Sequence, residues 1–112
     1  LVSVQTIHRC FEMAERTGTA IPVIDIVESI RKVKENDNEA VDRNLYKAVQ
    51  TPQVFEAQIL KAAYRQDYVP AFTDDASVVE AFGHKISIVE GNKENIKITT
   101  PLDLGIGELF LV

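Results

Sequence analysis

The start of the chain carries a helical pattern followed by a strand pattern. Apolar side chains recur at three- and four-residue steps between Ser3, a favoured N-cap residue, and Gly18, a favoured stop. These helical positions are Val4, Ile7, Phe11 and Ala14. Residues 20–27 are β-branched and almost continuously apolar, broken by Pro22 and Asp25, which is typical of a buried or edge strand. A helix followed by a strand is half of an α/β unit.

Residues 28–43 break both patterns and predict a projecting β-hairpin. The first part has no clean apolar face, the polar run 35–39 predicts a turn, and residues 40–43 return as a short extended piece. A two-stranded hairpin with polar residues on both faces is only marginally stable by itself, so the pattern favours support from another subunit or another part of the protein. A solvated loop is the alternative explanation of the same charges.

The middle of the chain predicts a strand, a helix and a loop. Residues 45–49 have strand character, and Thr51-Pro52 predicts the start of a helix, because proline suits the first helical position. The apolar face of that helix would carry Phe55, Ile59, Ala62 and Ala63. Pro70 predicts that residues 64–72 are a loop.

The last third of the chain predicts the order helix, strand, strand, helix. The predicted elements are a helix over 76–82 behind the capping run 73–75, strands over 85–90 and 95–99, and a helix beginning at Pro101. Gly83 is the expected stop of the first helix, and Thr100 is the expected N-cap of the last. Alternation places Ile86 and Ile88 on one strand face. Because helices alternate with strands, we predict an α/β layered domain with a mixed sheet.

Composition narrows the function classes. The 112 residues include 46% hydrophobic side chains, which matches one soluble globular domain or part of a larger one. Twelve Lys and Arg against seventeen Asp and Glu give a net charge of −5, which argues against binding to nucleic acid or to an anionic membrane. Cys10 has no partner for an internal disulfide, and no segment reads as a leader or a membrane span, so a reducing cytoplasm is expected. His8 and His84 lack metal-ligand spacing.

Two cations stand in contexts that suit a phosphate ester. Arg43 follows Val41-Asp42, and strand alternation puts Lys97 on the face opposite its two isoleucine neighbours. Each cation alone is more often a surface or ion-pair residue, and Asp42 could pair with Arg43. Hydroxyl side chains raise the phosphate hypothesis above that alternative. They are Ser29, Thr51, Thr73 and Thr99. Thr51 and Thr73 are also good helix caps, and capping alone would explain them.

Five ordered motifs resemble one enzyme family from about residue 21 to the end of the chain. The motifs are Val41-Asp42-Arg43, Thr51-Pro52-Gln53, Thr73-Asp74-Asp75-Ala76-Ser77, Val89-Glu90-Gly91 and Asn95-Ile96-Lys97-Ile98-Thr99. Their order and spacing resemble 2-C-methyl-D-erythritol 4-phosphate cytidylyltransferase of the non-mevalonate isoprenoid pathway. Such enzymes join CTP and methylerythritol phosphate with the help of Mg²⁺ and release pyrophosphate.

The resemblance implies roles for particular residues. Arg43 and Lys97 would position the methylerythritol phosphate for attack on the α-phosphorus of CTP, and neither residue need exchange a proton. Thr51 and Thr73 match positions that line the substrate pocket, and Ser29 is the match for a pocket threonine before the arm. The Mg²⁺ would be held mainly outside this chain segment, since no metal ligand is assigned here.

The resemblance also implies an assembly. Residues 27–43 would form a projecting dimerisation arm that carries Arg43 into the active site of the other subunit of a homodimer. The chain would be the C-terminal half of a Rossmann-like nucleotidyltransferase domain, because the glycine-rich nucleotide loop of the family does not occur in it. We therefore expect the 112 residues alone to be inactive. The alternatives are a ribitol-5-phosphate cytidylyltransferase and a non-catalytic dimerisation or binding module of the same fold.

Overall fold

The computed structural model describes residues 1–111 and shows an α/β arrangement of four helices and six strands within that range. The helices are α1 (Val4–Thr17), α2 (Ala57–Ala63), α3 (Asp75–Ala81) and α4 (Pro101–Leu109). The strands are β1 (Thr19–Asp25), β2 (Arg31–Lys34), β3 (Asp37–Ala40), β4 (Lys47–Val49), β5 (Val54–Phe55) and β6 (Ile88–Glu90). The predicted α/β class is confirmed.

Strand β1 is the centre of a four-stranded mixed sheet, as the sequence predicted. It pairs in parallel with β6 on one side and antiparallel with β4 and β5 on the other. Pro22 lies between the residues that pair with β5 and those that pair with β4. Its missing N–H therefore interrupts no ladder, and its carbonyl accepts from the backbone N–H of Gln50 at 2.9 Å. This is why a proline is tolerated in a central strand.

Helix α1 covers the sheet with a different face from the predicted one. Ser3 caps the helix through its side chain, and Gly18 ends it at a φ of 89°, as expected. The buried residues, however, are Thr6 and Cys10, whereas Phe11 is 53% exposed. Cys10 packs as a small apolar side chain against β1 and β6, and its burial raises the pKa of its thiol. Of the predicted stripe, Val4 and Phe11 are exposed, whereas Ala14 packs against the buried cluster that contains Cys10.

A β-hairpin occurs within the predicted interval. Strands β2 and β3 pair antiparallel around a turn at residues 35 and 36, and every residue of both strands is exposed. The polar run predicted as one long turn is thus mostly strand β3. The ion pair between Lys34 and Glu39, at 3.6 Å, links the two strands. The residues after β3 form a short 3₁₀-helix, Arg43–Leu45, rather than an extended piece.

Three other predictions from the sequence were wrong in detail. Thr51-Pro52 does not open a helix, because residues 54 and 55 pair with β1 as strand β5 and α2 begins only after Glu56. Residues 95–99 are irregular rather than a strand. The strand predicted over residues 85–90 is shorter, since only Ile88–Glu90 pairs with β1. Its buried residue is Val89, whereas Ile88, which was predicted to share a face with Ile86, is 53% exposed.

The last two helices begin where caps were predicted, although Asp74 rather than Thr73 is the N-cap of α3. Asp74 and Ser77 form a capping box at the start of α3, and Gly83 follows this helix with a φ of 103°. Thr100 and Asp103 form a second capping box at the start of α4. Among residues 1–111, no helix is both long enough and apolar enough to cross a membrane.

Candidate functional site

Lys97 lies in the irregular segment between β6 and α4. Its side chain is exposed, and among residues 1–111 it forms neither a hydrogen bond nor a salt bridge. The strand alternation that predicted its exposure does not exist, because the segment pairs with no strand. An ammonium group without a protein partner is available to an anionic ligand, provided that the surrounding chain holds it in place.

Gln50 and Asn95 hold the chain just before Lys97. The amide nitrogen of Gln50 donates to the carbonyl oxygens of Asn92 at 2.9 Å and Asn95 at 3.1 Å. Its amide oxygen accepts from the backbone N–H of Asn92 at 3.2 Å. The side chain of Asn95 donates in turn to the carbonyl oxygen of Thr51 at 2.6 Å. The segment that carries Lys97 is thereby tied to the Thr51 loop.

Asn92 extends this network to the start of α1. Its side-chain oxygen accepts from the backbone N–H of Ser3 at 3.1 Å and from the hydroxyl of Thr6 at 2.9 Å. Gly91 lies beside it, and a Cβ at this position would collide with the amide oxygen of Gln50, so a larger residue would displace the Gln50 side chain. Thr6 is fully buried, so the network has a rigid base.

Asp103 and Gly107 of α4 hold the chain after Lys97. The carboxylate of Asp103 accepts from the backbone N–H of Thr99 at 3.1 Å, from the Thr99 hydroxyl at 3.0 Å and from the backbone N–H of Thr100 at 3.0 Å. These bonds, the Thr99 backbone bond foremost, lower the pKa of Asp103. A Cβ on Gly107 would lie 3.1 Å from Ile98 Cδ1, so this buried glycine permits close packing of α4 against the segment of Lys97.

Gln53 joins the loop of Thr51 to the start of α3. Its amide nitrogen donates to the carboxylate of Asp74 at 3.0 Å, and its amide oxygen accepts from the backbone N–H of Ala76 at 3.0 Å. Thr73 precedes this carboxylate, and its backbone N–H donates to the hydroxyl of Ser77 at 3.0 Å. Neither Thr51 nor Thr73 caps a helix through its own side chain, so the capping explanation does not apply to either hydroxyl.

Asp74 is the charged group that anchors this junction. Burial disfavours its ionised form, but the hydrogen bonds from Gln53 and Ser77 outweigh burial and lower the pKa below the ordinary value of 3.8. The ionised carboxylate therefore stabilises the folded state at neutral pH. That contribution is present above pH 3.8 and is lost as the pH falls through the lower pKa of the folded protein.

Replacement of Asp74 by alanine is expected to lower the free energy of unfolding by about 1 kcal/mol at pH 7, because it removes an N-cap. The deficit relative to the unsubstituted protein should shrink as the pH falls below about 4, where the native cap becomes protonated. Urea unfolding at several pH values measures both effects. Asp67→Ala, which removes an exposed loop carboxylate, is the matched control. An equal deficit at all pH values would contradict this role of the charge.

Arg43 lies at the base of the hairpin. Its guanidinium donates to the carbonyl oxygen of Val27 at 2.7 Å, and its side chain is exposed. Asp42 does not neutralise it, because that carboxylate caps the 3₁₀-helix by accepting from the backbone N–H of Asn44 at 2.9 Å. Ser29 lies nearby in an exposed irregular stretch between β1 and β2, and within residues 1–111 its side chain has no hydrogen bond.

The structure thus divides the predicted site residues into two groups. Hydrogen bonds through Asn95 and Gln53 link the segments of Thr51, Thr73 and Lys97 into one region. Arg43 and Ser29 lie beyond the carboxyl end of β1, and within the described chain no hydrogen bond or salt bridge joins them to that region. The sequence reasoning missed Gln50 and Asn92, since a glutamine beside a Gly-Asn turn is a weak signal.

The described residues do not by themselves form a metal cage. No group of three or more His, Cys, Asp or Glu side chains in residues 1–111 could hold a metal ion. The carboxylates near the Lys97 region are engaged in capping and hydrogen bonds. They do not fit a dedicated Mg²⁺ site.

The mixed sheet and its flanking helices define an α/β domain, and solved structures of cytidylyltransferases share this fold. The crystal structure of 2-C-methyl-D-erythritol 4-phosphate cytidylyltransferase from Thermus thermophilus matches 100% of this chain and 57% of its own, with a TM-score of 0.84 and 30% identity. The corresponding structure from Francisella tularensis matches 96% of this chain and 53% of its own, with a TM-score of 0.82 and 30% identity.

The chain belongs to the 2-C-methyl-D-erythritol 4-phosphate cytidylyltransferase (IspD) family, whose model matches residues 1–112. The proteins of that name from Bacteroides thetaiotaomicron and Phocaeicola vulgatus are 54% and 56% identical to it over 110 residues. In each case the match covers 98% of this chain and 50% of the relative. The chain therefore spans about half the length of these relatives, and the family predicted from the five motifs is confirmed.

Proposed function

We propose that the whole protein containing this chain transfers a cytidylyl group from CTP to 2-C-methyl-D-erythritol 4-phosphate and releases pyrophosphate. One observation supports this most directly: an exposed ammonium, that of Lys97, stands on a segment tied by side-chain hydrogen bonds to Thr51. Family membership supplies the reaction, and this geometry supplies a place for the acceptor phosphate.

The chemistry asks for positioning rather than proton transfer by these residues. The phosphate of the acceptor attacks the α-phosphorus of CTP, a new P–O bond forms, and the bond to the leaving pyrophosphate breaks. Lys97 contributes a compact positive charge to the acceptor phosphate, and the planar guanidinium of Arg43 can donate two parallel hydrogen bonds to it. The hydroxyls of Thr51 and Thr73 are further donors on the Lys97 side. Ser29 is proposed as a weaker contact on the Arg43 side.

The separation of Arg43 from Lys97 favours a shared site between two subunits. Arg43 follows a hairpin whose two strands are fully exposed and lack a core of their own. Such a hairpin gains stability by packing on another surface. We therefore propose a homodimer in which the arm, residues 27–43, brings Arg43 to the Lys97 region of the partner.

Three further parts of the proposal concern what lies outside these residues. The chain is proposed to be the C-terminal half of the enzyme, which leaves the glycine-rich nucleotide loop to the other half. Mg²⁺ is proposed as a cofactor held mainly outside this chain segment, with the nucleotide phosphates among its ligands. The cytoplasm is the proposed location, because the reaction consumes CTP and Cys10 is an unpaired thiol.

Turnover with two sugar phosphates tests the proposal. The whole protein, supplied with CTP and Mg²⁺, should release pyrophosphate with methylerythritol phosphate at a kcat/KM at least about 100-fold higher than with ribitol 5-phosphate, as expected when a site pairs its polar groups with one acceptor only. The isolated 112-residue chain, assayed in parallel, should release none. Preference for ribitol 5-phosphate would favour the alternative acceptor. Absence of turnover with either would favour a non-catalytic dimerisation or binding module.

A further inference from the structure

We infer that Gln50 is a positioning residue for the reaction: its side-chain amide sets the path of residues 92–95 and thereby the place of the Lys97 ammonium relative to Thr51. The inference rests on the proposed function in one respect, namely that Lys97 binds the acceptor phosphate. Gln50 itself lies behind this segment and is assigned no contact with substrate.

The segment before Lys97 depends on side chains for its shape. It belongs to no helix or strand, and its own backbone hydrogen bonds are short-range turns, from Asn95 to Asn92 at 3.1 Å and from Ile96 to Glu94 at 2.9 Å. Local turns of this kind leave the direction of a loop undetermined. The three hydrogen bonds of the Gln50 amide connect the loop to the end of β4, beside the bonds that Asn92 and Asn95 make to α1 and to Thr51.

Gln50 can act as an anchor because its own backbone is fixed. It follows β4 directly, and its N–H donates to the carbonyl oxygen of Pro22 in the central strand at 2.9 Å. Pro22 is fully buried. Gln50 is therefore anchored to the buried central strand. Lys97 lies two residues after Asn95, whose carbonyl oxygen is the last group in the loop that the Gln50 amide binds.

The chemistry at this position requires an amide. The nitrogen donates to two carbonyl oxygens while the oxygen accepts from an N–H, so both ends of the group are used. A glutamate of the same shape would place a negative oxygen against two carbonyl oxygens. A leucine would leave the carbonyl oxygen of Asn95 and the backbone N–H of Asn92 without these hydrogen bonds, while the carbonyl oxygen of Asn92 would keep only its bond from the Asn95 N–H.

Gln66 provides a matched control within the same molecule. Its amide nitrogen also donates to two backbone carbonyl oxygens, those of Ala63 at 2.8 Å and Val78 at 2.9 Å. It is half-buried, as Gln50 is. Gln66→Glu therefore makes the same chemical change between α2 and α3, where no bond leads to Lys97.

The test compares Gln50→Glu, Gln50→Leu and Gln66→Glu in the whole protein. Both Gln50 variants should lower kcat/KM for methylerythritol phosphate by about 10- to 100-fold, because a small misplacement of a positioning charge is costly. The KM for CTP should stay within about twofold of the unsubstituted value, because Gln50 and Lys97 are not proposed to bind CTP. Gln66→Glu should lose thermal stability to a similar extent and keep its kinetics.

Hydrogen exchange supplies a readout that does not depend on catalysis. Amides in a peptide covering residues 91–99 should exchange about 10-fold faster in the Gln50 variants and at the native rate in Gln66→Glu. Unchanged exchange, or faster exchange with unchanged kcat/KM, would overturn the inference. If the unsubstituted protein does not use methylerythritol phosphate, the proposed function fails, whereas unchanged exchange with intact turnover removes the role of Gln50 alone.

Discussion

Replacement of Lys97 by alanine is expected to lower kcat/KM for methylerythritol phosphate by about 100- to 1000-fold in the whole protein, a loss typical of removing one fixed charge-stabilising group. The physical reason is that the ammonium is exposed and forms no hydrogen bond or salt bridge within residues 1–111, so in the proposed site its charge is available to the acceptor phosphate. Most of the loss should appear in the kinetic constants for methylerythritol phosphate, whereas the KM for CTP should change little. Steady-state kinetics with each substrate varied in turn measures this split.

Lys93→Ala is the matched control for that experiment. Lys93 is an exposed lysine of the same loop, so its replacement removes the same charge from the same part of the chain. The effect should stay within about threefold, since a general change in surface potential is screened by salt. Equal losses in both variants would mean that the loop contributes only a diffuse positive field. An unchanged Lys97→Ala enzyme would remove Lys97 from the site.

Mixing two inactive variants is expected to restore activity, because the proposed site is shared between subunits. Arg43→Ala and Lys97→Ala should each reduce turnover by about 100-fold or more as homodimers. A heterodimer of the two has one site that combines a native Lys97 with the native Arg43 of the other subunit. Its second site lacks both. Random exchange of subunits at equal concentrations should therefore recover about a quarter of the unsubstituted activity.

Recovered activity distinguishes an arm that places Arg43 in the site of the other subunit from an arm that places it in the site of its own subunit. If Arg43 acted within its own chain, each subunit of the mixed dimer would carry one defect and activity would stay at the level of the variants. Analytical ultracentrifugation of both variants is needed beside the assay, because loss of the dimer would also abolish turnover. Lys32→Ala, in the exposed strand β2, removes a cation from the same arm and serves as the control substitution.

Local chemistry was the part of the structure that the sequence could predict. Ser3, Thr100 and the run 73–75 were recognised as starts of helices because capping needs only a side-chain oxygen and two or three following residues, although Asp74 rather than Thr73 is the cap. Gly18 and Gly83 were recognised as stops for a similar local reason. The hairpin was predicted from polar residues on both faces, and the structure shows it with a shorter turn.

Predictions that depended on which distant residues pack or pair together were wrong. The apolar stripe of α1 was read from spacing alone, but only part of it, including Ala14, packs on the core, and the fully buried residues of the helix are Thr6 and Cys10. Proline at residue 52 suggested a helix start, yet pairing with β1 made the following residues a strand. Residues 95–99 have the alternation of a strand, but in the described chain they pair with no other strand.

The sequence by itself determined the family, the order of helices and strands in outline, and the identities of Lys97 and Arg43 as the cations of interest, because motifs and caps depend on neighbours along the chain. The tertiary structure alone decided how these residues are grouped. Gln50 and Asn95 bind the Lys97 segment to Thr51, whereas Arg43 is directed to the base of the hairpin. These contacts join residues far apart in the chain, or depend on the path of a loop, and no local pattern encodes them.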